Sequence, residues 1–197
     1  MIALGFLASN NGTTLRAVVK AIESGDLSAQ ARLLVSNRKS APALAFAREH
    51  GVATRVIPTA GDAEAADAAL AEALGLAEVE LVVLSGYLRR IGPRTLRAYR
   101  HRILNIHPAL LPKFGGDGMY GRRVHEAVIA SGDSYTGASV HLVDDQYDHG
   151  AVLARIEIAV GPSDTPETIE RRVMAVEPGL VIQTLQSIAA GALSLPR

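Results

Sequence analysis

The sequence predicts an α/β fold, a Rossmann-like and mostly parallel sheet with helices on both faces. Three observations carry this. Strand-like and helix-like segments alternate through the first hundred residues. The strand-like segments are nearly all aliphatic, as expected for strands buried on both faces. Glycine or proline marks the joints between segments. Such alternation implies βαβ units and a parallel sheet.

The elements follow in order. Residues 2–8 are an apolar run and read as a buried strand. Residues 12–24 place Leu15, Val18, Val19 and Ile22 at helical spacing, and Gly25 ends that helix. Residues 32–36 form a second strand. Residues 42–49 form a short helix with Pro42 in its first turn. A third strand covers 54–57, an alanine-rich helix 62–74 and a fourth strand 81–85. A short helix at 93–99 leads to a fifth strand at 102–106.

The second half changes character. Residues 113–121 contain four glycines and read as a loop, followed by a helix at 122–131. Residues 136–143 and 151–160 read as two antiparallel strands. Thr165 caps a long final helix, with Pro166 at its first position and Glu167 and Glu170 in its first turns. Pro178 is expected to kink or divide that helix. No repeat or low-complexity tract interrupts the chain. The expectation is one domain over 1–197 whose two halves, 1–100 and 101–197, share a sheet.

Composition narrows the function classes. Lys+Arg and Asp+Glu are 20 each, so the formal net charge is zero. A neutral chain has no general attraction to nucleic acid or anionic membrane. There is no cysteine, which excludes disulfides, thiolate zinc sites and a cysteine nucleophile. The apolar start lacks a basic leader and reads as a strand, not a signal peptide. No apolar run approaches the ~20 residues of a membrane span. A cytoplasmic protein acting on small molecules, as monomer or homodimer, is expected.

Four segments carry chemistry. Ser9-Asn10-Asn11-Gly12-Thr13-Thr14 joins the first strand to the first helix. Its N–H groups and hydroxyls at the positive end of a helix dipole suit a phosphate. A plain N-capped turn, with Thr13 or Thr14 as the cap, is the competing reading. The segment is neither GxGxxG nor GxxxxGK[ST], which disfavours a dinucleotide or nucleoside triphosphate. At the end of the fourth strand, Gly86 permits close approach of a ligand, and the backbone of Leu88, Arg89, Arg90 and Ile91 can line a pocket for a heterocycle. A strand-loop turn with a solvated arginine pair is the alternative there.

The third segment is Asn105-Ile106-His107-Pro108. Alternate residues of an extended chain share a face, so Asn105 and His107 project together where a strand stops. Prolines 108 and 112 stop a helix from forming there. In acyl transfer Asn105 can donate to a tetrahedral oxyanion, and His107 can move protons. The fourth segment runs from His141 to Gly150. Asp144-Asp145 reads as a solvated turn, and Asp148 is the candidate carboxylate to orient His107. No HExxH-like spacing occurs, so a metal site is disfavoured.

Taken together, these segments resemble the phosphoribosylglycinamide formyltransferases, the folate-dependent enzymes of purine synthesis. The stretch 105–113, Gly137-Ala138-Ser139-Val140-His141 and Asp148-His149-Gly150 carry the likeness, which covers nearly the whole chain in order. The loop 113–121 looks like a variant from one branch of that family. The resemblance implies a formyltransferase fold, with 1–100 the phosphate- and ribonucleotide-binding half and 101–197 the catalytic, folate-binding half. It also implies Asn105, His107 and Asp148 as the catalytic trio, with Asp148 holding His107 and raising its pKa. Gly12, Thr13 and Thr14 would bind the ribonucleotide phosphate and Glu177 its ribose hydroxyls. Leu88, Arg89, Arg90, Ile91 and Asn105 would bind 10-formyltetrahydrofolate, the co-substrate, with no metal required.

The chain departs from the family pattern in places. The phosphate loop of the family usually reads Ser-Gly-x-Gly-Ser-Asn, so the hydroxyl at Thr13 survives and the amide at position 14 is lost. Many members carry a folate-contacting arginine on the helix before the fourth strand, and residues 62–74 have none. Rival readings are an amino-sugar nucleotide formyltransferase, methionyl-tRNA formyltransferase, a formyltetrahydrofolate hydrolase and a non-catalytic phosphate-ligand binding protein. The tRNA enzyme and the hydrolase would carry an added domain. A silent binding protein would lack one of Asn105, His107 or Asp148.

Overall fold

A computed structural model describes residues 1–196. The elements are β1 (Ile2–Leu7), α1 (Thr13–Glu23), β2 (Ala29–Ser36), α2 (Pro42–Glu49), β3 (Ala53–Val56), α3 (Ala63–Leu76) and β4 (Leu81–Leu84). They continue with α4 (Pro93–Ala98), β5 (Ile103–His107), α5 (Arg122–Ser131), β6 (Tyr135–Leu142), β7 (Val152–Ala159) and α6 (Pro166–Ala189).

The strands form one sheet in the order β3-β2-β1-β4-β5-β6-β7. β1 to β5 are mutually parallel, and β6 and β7 join antiparallel. The antiparallel pair extends the sheet begun by the first half, as its turn-flanked apolar runs predict.

Alternation along the strands divides the core. On β4, Leu81 and Val83 face one layer while Val82 and Leu84 face the other. The first layer packs Leu15 and Val18 of α1, Leu44 of α2, and Ile169 and Val173 of α6. The second packs Ala66, Leu70 and Leu74 of α3. Helices therefore cover both faces, which is why the central strands are aliphatic throughout.

Three expectations change. β2 begins at Ala29, three residues early, because Ala29–Ala31 pair with Ile2–Leu4 of β1. β5 extends to His107, since His107 pairs with Ser139 on β6, so the catalytic candidate belongs to the strand itself. Pro178 does not divide α6, which runs from Pro166 to Ala189 as one helix. Proline removes one backbone donor there, and packing of α6 on α1, α5, β6 and β7 keeps the helix in register across the gap.

Candidate active site

The sheet reverses its order between β1 and β4, so the loops leaving their carboxyl ends diverge and leave a crevice. A cleft of about 570 Å³ opens at the carboxyl ends of β4 and β5, next to that crevice. Residues 86–91 after β4, Asn105 to Pro108 of β5, the glycine-rich loop 116–121, His141 and residues 143–148 line it. A smaller hollow of about 320 Å³ behind Val143–Asp145, lined by Arg97, Arg100 and His101, holds none of the trio.

The strand pairing builds the end of the cleft that holds Asn105 and His107. Asn105 lies across from His141, and His107 across from Ser139. The Ser139 hydroxyl donates to the Ala109 carbonyl (2.7 Å) and accepts from the Leu111 N–H (3.0 Å). It thereby pins the proline-rich turn behind the histidine. His107 is buried, and its Nε2 lies 2.8 Å from the Phe114 carbonyl. A carbonyl only accepts, so Nε2 carries hydrogen, and Nδ1 is left to take or give a proton. Nδ1 is 3.4 Å from Oδ2 of Asp148. That same oxygen accepts from the Gly116 N–H at 3.1 Å, which ties the glycine-rich loop to the trio. Asp148 adopts φ 56, a left-handed conformation that aspartate tolerates better than most residues.

Electrostatics correct one expectation. Burial holds the His107 imidazole below its ordinary value; Asp148 and the Phe114 carbonyl pull it up but do not overcome burial. The resemblance implied a raised value, and desolvation reverses the sign. Burial pushes the Asp148 carboxyl up, yet His141, His107 and the Gly116 N–H outweigh it and hold it below the usual carboxylate range. Asp148 is thus ionised at neutral pH beside a neutral imidazole.

Leu88, Arg89, Arg90 and Ile91 all line the cleft. The Ile91 side chain is buried in the core, so backbone is what it offers a ligand. Both arginines are exposed. Arg90 donates to the Asp145 carbonyl (2.6 Å) and lies over the Tyr147 ring, bridging two walls.

The phosphate-loop candidates lie beside the cleft and not among its lining residues. Gly12, not a threonine, is the N-cap of α1, at φ 64 with no side-chain cap. Leu15 N–H donates to the Ser85 hydroxyl (3.0 Å) and Arg16 N–H to the Gly12 carbonyl. Among the described residues nothing takes the N–H groups of Gly12, Thr13 or Thr14. These are the donors an anion would meet. Ser9 joins this loop to the wall formed by residues 88–91: its hydroxyl donates to Asn37 Oδ1 (2.7 Å) and accepts from Leu88 N–H (2.8 Å). Asn10, where the family pattern has glycine, accepts from Arg38 at 2.8 Å. Thr13 is exposed and Thr14 buried.

Glu177 sits mid-way along α6, half-buried and outside the cleft lining. Burial alone pushes its carboxyl up to about 7. The structure therefore brings together the trio and residues 88–91, sets Gly12–Thr14 alongside, and leaves Glu177, on α6, outside the cleft lining. Sequence reasoning gave no individual role to His141, Ser9 or Ser85. Period-two spacing puts His141 on a face with Ser139, but only the β5–β6 register places it against Asn105.

The formyl transferase family model matches residues 3–185. The chain belongs to the formyl transferase family. Among relatives of this chain, the chloroplastic phosphoribosylglycinamide formyltransferase of Arabidopsis thaliana is 37% identical over 189 residues, covering 94% of this chain and 64% of the relative. The chain thus spans under two thirds of that plant protein's length. The phosphoribosylglycinamide formyltransferase of Escherichia coli is 33% identical over 96% of this chain and 88% of the relative. Glycinamide ribonucleotide transformylase 1 from Symbiobacterium toebii superposes with a TM-score of 0.91 at 33% identity, over 100% of this chain and 91% of that one. A formyltetrahydrofolate deformylase from Pseudomonas syringae shares the fold at a TM-score of 0.88 and 22% identity, covering 99% of this chain and 63% of that one.

No helix among the described residues is long and apolar enough to cross a membrane. Among them there is also no group of three or more His, Asp or Glu arranged to hold a metal ion.

Proposed function

We propose that this formyl transferase moves the formyl group of 10-formyltetrahydrofolate to the primary amine of glycinamide ribonucleotide, a step of purine synthesis. The observation that carries the reading is the convergence of Asn105, His107 and Asp148 in one cleft beside the uncapped start of α1. The matched relatives named for this activity support it.

The chemistry follows from the side chains. The neutral amine attacks the formyl carbon, and the carbonyl π electrons move onto oxygen. Asn105 donates to the resulting oxyanion. Nδ1 of His107 carries protons between the attacking amine, which must lose one, and the folate nitrogen, which must gain one to leave. The ionised Asp148 stabilises the imidazolium while it exists. Collapse restores the carbonyl and releases tetrahydrofolate and the formylated ribonucleotide. Protons balance, and no step calls for a metal.

In this reading Gly12, Thr13 and Thr14 hold the phosphate, and Glu177 meets the ribose hydroxyls. The backbone of Leu88–Ile91 pairs with the pterin. α3 supplies no cation, so the exposed Arg89 and Arg90 at the rim are what the carboxylate tail of the folate meets. A cytoplasmic setting, a monomer or homodimer, and a single domain over the chain complete the proposal. The test is turnover with both substrates, followed as release of the deformylated folate. Transfer to glycinamide ribonucleotide supports the reading, and transfer only to another amine acceptor overturns it.

A further inference from the structure

We propose that His141 is a positioning residue whose neutral, Nδ1-protonated ring fixes the Asn105 amide with an N–H toward the reacting carbonyl. This rests on the formyl-transfer reading of the cleft.

The argument starts from what each atom can do. His141 is 2% exposed on β6, directly across the ladder from Asn105. Its Nδ1 lies 2.8 Å from the Leu142 carbonyl oxygen. A carbonyl oxygen only accepts, so Nδ1 carries the hydrogen. In the neutral ring Nε2 is then an acceptor, and it lies 3.1 Å from Nδ2 of Asn105. The amide nitrogen only donates, so these two contacts require each other.

A side-chain amide has two orientations that differ only by exchanging oxygen and nitrogen. Turning Asn105 over would set its oxygen against the lone pair of Nε2, acceptor against acceptor. The histidine thus selects one orientation. One amide hydrogen goes to His141, and the second stays on a residue that lines the cleft. Without that selection, Asn105 would present oxygen to a developing oxyanion in part of the population, where it repels instead of stabilising.

The rest of the surroundings agree. The Leu142 peptide is held on both sides: its N–H donates to the Ala151 carbonyl (2.9 Å), and Gly150 approaches its oxygen so closely that an added Cβ would lie 2.0 Å away. The acceptor for Nδ1 therefore sits in a closely packed stretch of backbone. The competing group is Asp148, whose Oδ1 is 3.5 Å from Nε2 against 3.1 Å for Asn105; the hold of His141 on that carboxyl belongs to the protonated ring, whose Nε2–H would turn from the amide to the carboxylate.

The test is a double-mutant cycle with both substrates. His141→Ala should lower kcat about 100-fold, the size of losing one oxyanion donor, with both KM values within about threefold. His141→Gln, whose oxygen can accept the Asn105 N–H, should recover most of the loss. In an Asn105→Ala background, His141→Ala should change kcat less than about twofold, because the two act as one unit. Fully additive losses would overturn the proposal, as would coupling to Asp148→Asn in place of Asn105→Ala. In folded wild-type protein, the His141 ring should give the ¹⁵N shift of an unprotonated Nε2. A protonated Nε2 would refute the tautomer whatever the kinetics. Absence of transfer by the wild type would instead refute the underlying formyl-transfer reading.

Discussion

Glu177 offers a prediction whose size follows from the structure. Its carboxyl, half-buried on α6, titrates at about 7 because burial disfavours the charge. A group with that value is about one tenth ionised at pH 6 and about nine tenths at pH 8. If the ribose hydroxyls bind the carboxylate, ribonucleotide affinity rises about tenfold over that interval through Glu177 alone. Binding at pH 7 should also release about half a proton from this group. The ribonucleotide phosphate titrates near 6 as well, so the comparison is wild type against Glu177→Gln. Isothermal titration calorimetry at pH 6, 7 and 8, in buffers of different ionisation enthalpy, reads both quantities.

The same substitution has a stability signature. The folded carboxyl holds its proton above the unfolded value of 4.5, so the folded state binds more protons between that pH and about 7. Stability from this group therefore falls as pH rises through that window. Glu177→Gln should stabilise the protein by up to about 3 kcal/mol at pH 8 and by little near pH 5. Identical pH dependence of binding in wild type and Gln variant would refute the ribose role. An unchanged stability difference across pH would refute the desolvation argument.

Three further outcomes follow. Asp148→Asn removes the charge that pulls the His107 imidazole up, so its pKa should fall further below the ordinary value; kcat near neutral pH should drop by about 100-fold or more, read by steady-state rates and histidine NMR titration. Below pH 6.5 the protein should lose stability as His107, held neutral by burial, is forced to charge; urea midpoints at pH 7.5 and 5.5 check this, and the slope should flatten in His107→Asn. Gly137→Ala should cost at least about 2 kcal/mol, because a Cβ there would lie 1.8 Å from the Ile156 carbonyl oxygen and push β6 from β7, seen as a lower melting temperature.

What the sequence revealed depended on whether the physics was local. The parallel strands were legible because burial on both faces demands aliphatic runs, and α2 and α5 matched to the residue because Pro42 and the glycine loop before Arg122 mark their starts. Asn105 and His107 could be paired from two positions on one strand. Asp148, 41 residues beyond His107, could be named as a candidate carboxylate, but that it reaches His107 is visible only in the fold. His141 was quoted in a motif without a role, since its partner depends on the β5–β6 register. The lowered His107 pKa could not be foreseen either, because it depends on how much of the fold closes over the ring. At Pro178 a local rule predicted a kink or a division, and tertiary packing carried α6 through without a division.

The account stands on His107 moving the proton of formyl transfer. The direct measurement is single-turnover transfer from 10-formyltetrahydrofolate to glycinamide ribonucleotide by wild type and His107→Ala, with ribonucleotide binding measured on both. The account predicts transfer by the wild type, a rate lowered by about 100-fold or more in the variant, and unchanged ribonucleotide affinity. A variant that turns over at nearly the wild-type rate would contradict it.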